Sequence, residues 1–180
     1  QFGNPSSMHS FGNQVGMALK KARQSVQRLL GAEYDSEIVF TSCGTEADST
    51  AILSALKAQP ERKTIITTVV EHPAILSLCD YLAEDGYTVH KLKVDKKGRL
   101  DLDEYAALLD DDVAIVSVMW ANNEVGTIMP IAELASVAKT EADVKAVVLG
   151  RATGEHQDFL DGLKARVAAA GLNEIGRASC

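Results

Sequence analysis

Three short polar clusters carry residue types that could bind an anion or move a proton, and each follows an apolar, strand-like run. The first is Ser42-Cys43-Gly44-Thr45-Glu46, in which small residues lead into a helical pattern. Backbone N–H groups at a helix start, together with the helix dipole, favour an anion such as phosphate. The pattern is neither of the Walker type nor GxGxxG, so a plain helix cap made by Ser42 or Thr45 stays open as the alternative.

The second cluster is Glu71-His72-Pro73. The proline predicts the first turn of a helix, which restricts the histidine directly before it. An imidazole held in this way could stack on a flat ring or move a proton near neutral pH. The alternative is an ordinary loop histidine without a ligand.

The third cluster lies between Trp120 and Thr127 and contains Asn122, Asn123 and Glu124. Polar side chains directly after a buried strand are costly unless they are hydrogen-bonded. Asparagine both donates and accepts, which suits a phenolic or pyridine-type oxygen. The alternative is that Asn122 and Glu124 bond within their own loop, and Trp120 is predicted to be a packing residue.

Alternating helices and strands must position these clusters. Helices are predicted at about 11–30, 46–58, 73–86, 101–109, 131–139 and 155–170, and strands at 37–41, 64–70, 87–92, 113–118 and 146–149. Continuous apolar runs at 64–70 and 113–118 are typical of strands buried on both faces. The sequence therefore predicts an α/β fold, a mainly parallel sheet with helices on both faces, and parallel strands bring polar clusters to one edge. A phosphate cradle, a flat ring and a carboxamide at one edge suit a phosphorylated aromatic cofactor better than a metal or a dinucleotide.

Composition excludes several classes of protein. The chain has 180 residues, 46% of them hydrophobic, and a net charge of −7, which argues against nucleic acid as a partner. No apolar run approaches the roughly 20 residues that cross a bilayer. Cys43, Cys79 and Cys180 show no disulfide or zinc spacing and indicate a reducing compartment, and the first two are predicted to be buried small residues. The start at Gln1, without an initiator Met, suggests a piece of a longer protein.

The same clusters resemble a known family, the pyridoxal-phosphate-dependent cysteine desulfurases of fold type I, and are most similar to its nitrogen-fixation (NifS-like) branch. The matching stretches are Gly3-Asn4-Pro5-Ser6-Ser7 with His9, Glu37 to Glu46, Val70 to Ala74, and Asn122 to Thr127. The resemblance covers about residues 1–139. It implies that residues 1–139 are part of the large domain of such a transferase, whereas residues 140–180 are an unmatched strand–helix tail.

The resemblance also implies roles for single residues. Gly44 and Thr45 would hold the phosphate of pyridoxal 5'-phosphate, His72 would stack on the pyridine ring and assist proton transfer as a catalytic residue, and Asn123 would bond the ring's 3-oxygen. No metal is implied. In the family the cofactor is the electron sink, the substrate L-cysteine gives its sulfur to an enzyme cysteine as a persulfide, and L-alanine leaves. The implied partners are a sulfur-accepting scaffold protein for iron–sulfur or nitrogenase cluster assembly and, in the complete protein, a second copy in a homodimer. The implied location is the cytoplasm.

Among the parts of the family pattern that do not occur in this sequence are the two that carry its covalent chemistry. Lys139, Lys145 and Lys164 lie in no Ser-x-His-Lys segment, which supplies the Schiff-base lysine, and Cys180 does not match the loop that carries the persulfide cysteine. The chain is therefore expected to be inactive by itself. Two other readings stay open, a non-catalytic remnant that serves as an interaction or dimerisation domain, and a generic phosphate-ligand domain built on Ser42 to Glu46.

Overall fold

The computed structural model describes residues 3–141 and 146–149, with side chains as far as Lys139. These residues belong to two compact units, one that ends at Phe40 and one that begins at Thr41. The helix predicted at about 155–170 lies outside the described residues. No helix of the described part is long and apolar enough to cross a membrane.

The first unit contains one long helix, α1 (Ser10–Leu30). It ends where the sequence predicts, because Gly31 adopts a left-handed conformation (φ 74°) and its N–H donates to Gln27 O at 2.9 Å. Glycine is the residue that takes this conformation without steric cost.

The strand predicted at 37–41 is wrong. A 3-10 turn occupies Asp35–Glu37, and the N–H of Ile38 bonds back to Asp35 O at 3.3 Å. The carbonyl of Ile38 accepts from the Arg23 side chain. A strand needs a neighbouring strand to pair with these backbone groups, and here a turn and a side chain take both groups of Ile38.

The second unit is a four-stranded parallel sheet with crossover helices, in the order β2-β1-β3-β4. Its elements in chain order are α2 (Gly44–Ala58), β1 (Thr64–Thr68), α3 (Pro73–Glu84), β2 (Thr88–Leu92), α4 (Leu102–Ala107), β3 (Val113–Met119), α5 (Ile131–Glu141) and β4 (Ala146–Leu149). Each of them was predicted from the sequence, with ends that differ by a few residues at most. The predicted α/β fold is confirmed.

Two apolar clusters form the core of this unit. The first includes Ile66, Val116 and Val118 of the sheet with Tyr105 of α4 and Leu134 of α5. The second includes Ile65 and Ile115 of the sheet with Ile52 of α2, and Ile75 and Cys79 of α3. Because Ile65 and Ile66 are consecutive strand residues, they point to opposite faces, so helices cover both faces as predicted.

Strands β1 and β3 lie side by side in the centre of the sheet and run in the same direction. The chain leaves them at Thr68 and Met119, the last residue of each strand. The segments that follow, residues 69–72 and 120–128, therefore emerge next to each other at the carboxyl edge, where open α/β sheets bind ligands.

Candidate functional site

The start of α2 has an N-cap residue but no side-chain cap. Cys43 is the N-cap residue and its side chain makes no cap hydrogen bond. Ser42 is held instead by its backbone, whose N–H donates to Glu46 Oε2 at 2.6 Å. The alternative in which Ser42 or Thr45 caps the helix is therefore wrong. Gly44 is buried and Thr45 is exposed at this helix start.

Cys43 is exposed, so the prediction that it is buried is wrong. It lies at the surface as the N-cap residue, directly before the first turn of α2. The N–H of Glu46, followed by the Ser42 hydroxyl, lowers the pKa of the Cys43 thiol because both groups stabilise a thiolate. Cys79 is buried as predicted, and burial raises the pKa of its thiol to about 11.

His72 is the N-cap residue of α3, and Pro73 follows at the first helical position. Its Nδ1 accepts a hydrogen bond from Ala74 N at 3.2 Å, while the side chain is exposed. The restriction predicted from the proline is confirmed. A ring anchored through Nδ1 carries its proton on Nε2, and it can present a flat face and that N–H to a ligand.

Asn122 is used inside the protein. Its Oδ1 accepts from the N–H groups of Glu124 and Val125, both at 3.0 Å, and its Nδ2 donates to Val70 O at 3.1 Å. The alternative of hydrogen bonding within the loop is confirmed for this residue. Its contact with Val70 also ties the loop after β3 to the segment after β1.

Asn123, by contrast, is exposed. Its Nδ2 donates to Glu124 Oε1 at 2.9 Å, which uses one of the two N–H bonds of the amide nitrogen. The loop closes behind it, where Gly126 (φ 73°) donates its N–H to Asn122 O at 2.9 Å. Trp120 packs against the first core cluster, as predicted.

Two carboxylates at this edge received no role from the sequence. Glu71 is only 5% exposed, and burial is the largest cause that raises its pKa to about 7. Asp48, one turn into α2, is half-buried, which raises its pKa, whereas His72 lowers it when the imidazole is protonated. The available signal for Glu71 was its position directly after a buried strand, where a charge needs a partner.

These contacts bring the three predicted clusters together. Asp48 interacts electrostatically with both Glu71 and His72, which places α2 beside the segment after β1. Asn122 bonds that segment from the loop after β3. The donor set combines a helix start without a side-chain cap, an exposed imidazole and an exposed carboxamide, and it fits a phosphorylated ring. Among residues 3–139 no cluster of His, Cys, Asp or Glu could hold a metal ion.

A parallel sheet with helices on both faces defines the class as an open-sheet α/β domain. Comparison with known proteins makes the class specific: the chain belongs to the aminotransferase class-V family, whose family model matches residues 1–158. This family match, together with the curated relatives described next, confirms the resemblance seen in the sequence. The family match extends past residue 139, where the recognised motifs stop, and the position of the domain boundary stays a prediction.

Curated relatives carry the name cysteine desulfurase. The chain is 84% identical over 138 residues to cysteine desulfurase NifS of Azotobacter vinelandii, a match that covers 77% of this chain and 34% of the relative. It is 60% identical over 146 residues to a cysteine desulfurase of Azospirillum brasilense, covering 80% and 37%. The chain thus spans about a third of the length of these relatives.

Solved structures share the fold. A NifS-like protein superposes with a TM-score of 0.76 at 37% sequence identity, covering 84% of this chain and 42% of that chain. SspA in complex with cysteine superposes with a TM-score of 0.79 at 25% identity, covering 98% and 49%.

Proposed function

We propose that this chain is the part of a pyridoxal-phosphate-dependent cysteine desulfurase that holds the cofactor. The whole protein would convert L-cysteine to L-alanine and pass the sulfur to an enzyme cysteine. The observation that carries the proposal is the hydrogen bond from Asn122 to Val70, which joins the loop of Asn123 to the segment of His72. The names of the curated relatives support the same reaction.

Three of the four residues proposed to contact the ligand, Thr45, His72 and Asn123, are exposed, and Gly44 is buried beside Thr45. The first turn of α2, at Gly44 and Thr45, would hold the phosphate, since a helix start favours an anion. The anchored imidazole of His72 would stack on the pyridine ring and exchange a proton through Nε2. Asn123 would donate its second Nδ2 hydrogen to the 3-oxygen. When bound, pyridoxal 5'-phosphate would supply the electron sink of the reaction.

The proposal extends to partners and location. The complete protein would be a cytoplasmic homodimer that delivers sulfur to a scaffold protein for iron–sulfur or nitrogenase cluster assembly. The free thiols of Cys43 and Cys79 are compatible with a reducing compartment. This 180-residue chain would bind the cofactor without turnover, because its sequence has neither the Ser-x-His-Lys segment nor the loop of the persulfide cysteine.

A second candidate function, an interaction or dimerisation domain, is favoured by the surface of the first unit. Met8, Phe11 and Met17 are 99%, 73% and 64% exposed, and Gly12 is the only buried residue of α1. Exposed apolar side chains that form a contiguous patch are typical of association surfaces. Sedimentation velocity over a range of concentrations separates the cases: a dimer weakened by Phe11→Ser supports association, and a monomer at all concentrations contradicts it.

The test of cofactor binding uses pyridoxamine 5'-phosphate. This compound has the ring and the phosphate but no aldehyde, so it cannot attach to surface lysines. We expect the wild-type chain to quench its fluorescence saturably, and His72→Ala and Asn123→Ala each to raise the Kd about 10-fold, since each removes a contact worth roughly 1–2 kcal/mol. His90→Ala, a histidine of β2, serves as the matched control and should leave the Kd unchanged.

Each of three outcomes would contradict one part of the proposed function. If pyridoxamine, which lacks the phosphate, binds with the same Kd as pyridoxamine 5'-phosphate, the start of α2 does not hold the phosphate. Equal binding of unrelated nucleotides favours the generic phosphate-ligand domain. Cysteine-dependent sulfide release that His72→Ala abolishes overturns the expectation that this chain is inactive.

A further inference from the structure

Glu71 is the only buried charged residue among those whose side chains the structure describes. Its Oε1 accepts two hydrogen bonds, from Met119 N at 2.8 Å and from Thr68 Oγ1 at 2.9 Å. Thr68 and Met119 are the last residues of β1 and β3. One carboxylate therefore joins the ends of the two central strands.

The Glu71 carboxylate joins β1 and β3 beyond the last pair of residues in their sheet ladder. The last registered pair between β1 and β3 is Ile66 with Val116, and both strands continue beyond it. Glu71 and the bond from Asn122 Nδ2 to Val70 O are side-chain hydrogen bonds that link the two strand exits. They act in addition to the apolar packing of Val70 and Trp120 against the first core cluster, and unlike that packing they are directional.

The linking residues alternate with the proposed ligand residues. Buried Glu71 precedes exposed His72, and half-buried Asn122 precedes exposed Asn123. Each linking side chain is thus one peptide away from a side chain proposed to contact the ring. A shift at Glu71 or Asn122 is passed directly to its neighbour.

We propose that Glu71, together with Asn122, is a positioning residue that fixes the distance between His72 and Asn123, so that both reach the same planar ring. This inference rests on the proposed function for the identity of the ring. The geometry it assigns, a coupling of the two loops through a buried carboxylate, belongs to the chain without any ligand.

The first test needs no cofactor. Asn122 Oδ1 accepts the backbone N–H groups of Glu124 and Val125, and Glu71 makes no hydrogen bond to either. If the two loops are coupled, Glu71→Leu should speed the hydrogen exchange of these two amides at least about 5-fold. Exchange at wild-type rates, while Met119 N–H alone loses protection, would overturn the proposal and leave Glu71 a local role at the strand end.

The second test measures pyridoxamine 5'-phosphate binding in the same variants. Glu71→Leu, which has no acceptor, should raise the Kd about 10-fold or more, because misplaced binding groups lose their contacts. Glu71→Gln keeps an oxygen acceptor of the same shape and should bind within about 3-fold of the wild type. Asn122→Asp keeps the acceptor for Glu124 and Val125 but loses the donor to Val70, and should also weaken binding.

A matched control separates positioning from stability. Tyr105→Phe removes a buried hydrogen bond to Leu134 O on the face of the first core cluster and should leave the Kd unchanged. A loss of binding in Tyr105→Phe as large as in Glu71→Leu, or wild-type binding by Glu71→Leu, overturns the proposal. If the wild-type chain does not bind the compound, cofactor binding by this chain fails, and the exchange of Glu124 and Val125 still decides the coupling. Should Glu71→Leu not fold, Asn122→Asp tests the coupling from the other loop: it should speed the exchange of the Met119 N–H, which donates to Glu71, at least about 5-fold, and an unchanged rate would overturn the proposal.

Discussion

At the scale of single residues, the two described cysteines differ in accessibility and in proton affinity. Cys43 is exposed and backbone N–H groups lower the pKa of its thiol, whereas Cys79 is buried with a pKa of about 11. The thiolate is the reactive form. We expect iodoacetamide at pH 7.5 to modify Cys43 at least about 100-fold faster than Cys79, measured by peptide mass spectrometry, which also separates Cys180. Equal rates in the native chain would contradict the structure.

Single residues also show how far sequence reasoning reaches. His72 could be placed because its restriction comes from Pro73, the next residue, and Trp120 because packing follows from its type. The role of Glu71 could not be found in this way. Its partner Met119 is 48 residues away, so only the parallel pairing of β1 and β3 brings the two together. The burial predicted for Cys43 was wrong for a related reason, because the residue type alone does not show what packs against a residue at a helix start.

At the scale of elements, α2 should show the contrast between its buried and exposed sides. Ile52 is fully buried in the second core cluster, and its neighbour Leu53 is 45% exposed. Ile52→Ala should lower the free energy of unfolding by about 3 kcal/mol, as is typical of a cavity left by a large aliphatic side chain. Leu53→Ala places the same residue in the same helix and should cost under about 1 kcal/mol. Urea denaturation measures the free energy of unfolding of both variants. Similar losses in the two would contradict the burial of Ile52 and the exposure of Leu53.

The contact between α4 and α5 supports a second prediction at this scale. Tyr105 is fully buried, and its hydroxyl donates to Leu134 O at 3.1 Å. Tyr105→Phe keeps the ring and should lower the free energy of unfolding by about 1 kcal/mol, the net worth of one hydrogen bond. Tyr105→Ala also removes the ring and should cost about 3–5 kcal/mol. Chemical denaturation gives both values, and a Tyr105→Phe variant as destabilised as Tyr105→Ala would show that the hydroxyl, not the packed ring, holds α4.

The elements of the second unit could be predicted because pattern and environment agree. Apolar runs at 64–70 and 113–118 find neighbours on both sides in the sheet, and Pro73 starts α3 as its chemistry requires. The run at 37–41 has similar β-forming residues but no strand beside it among the described residues. Strand formation depends on a pairing partner, and a sequence read alone does not show whether one is present.

At the scale of the whole molecule, the buried carboxylate of Glu71 should make stability depend on pH. Burial raises its pKa from 4.5 to about 7, so between these values the folded chain holds a proton that the unfolded chain releases. This contribution to stability is complete below pH 4.5 and is lost as the pH rises through 7. One pKa unit corresponds to about 1.4 kcal/mol, so the loss between pH 5 and 8 should be about 2 to 3 kcal/mol.

Many groups titrate in this range, so the measurement compares the wild type with Glu71→Gln, which has no proton to release at this position. Urea denaturation at pH 5, 6, 7 and 8 gives the free energy of unfolding of each. The value for the wild type minus the value for Glu71→Gln should fall as the pH rises. Asp48→Asn is the control for the neighbouring carboxylate, whose pKa is also raised by burial and whose charge raises the pKa of Glu71. In that variant the pKa of Glu71 should fall, because a nearby negative charge is removed, so the loss of stability at Glu71 should be smaller and should end at a lower pH than in the wild type. A difference between wild type and Glu71→Gln that stays constant from pH 5 to 8 would mean that Glu71 is ionised throughout, with its two hydrogen bonds from Thr68 and Met119 outweighing its burial.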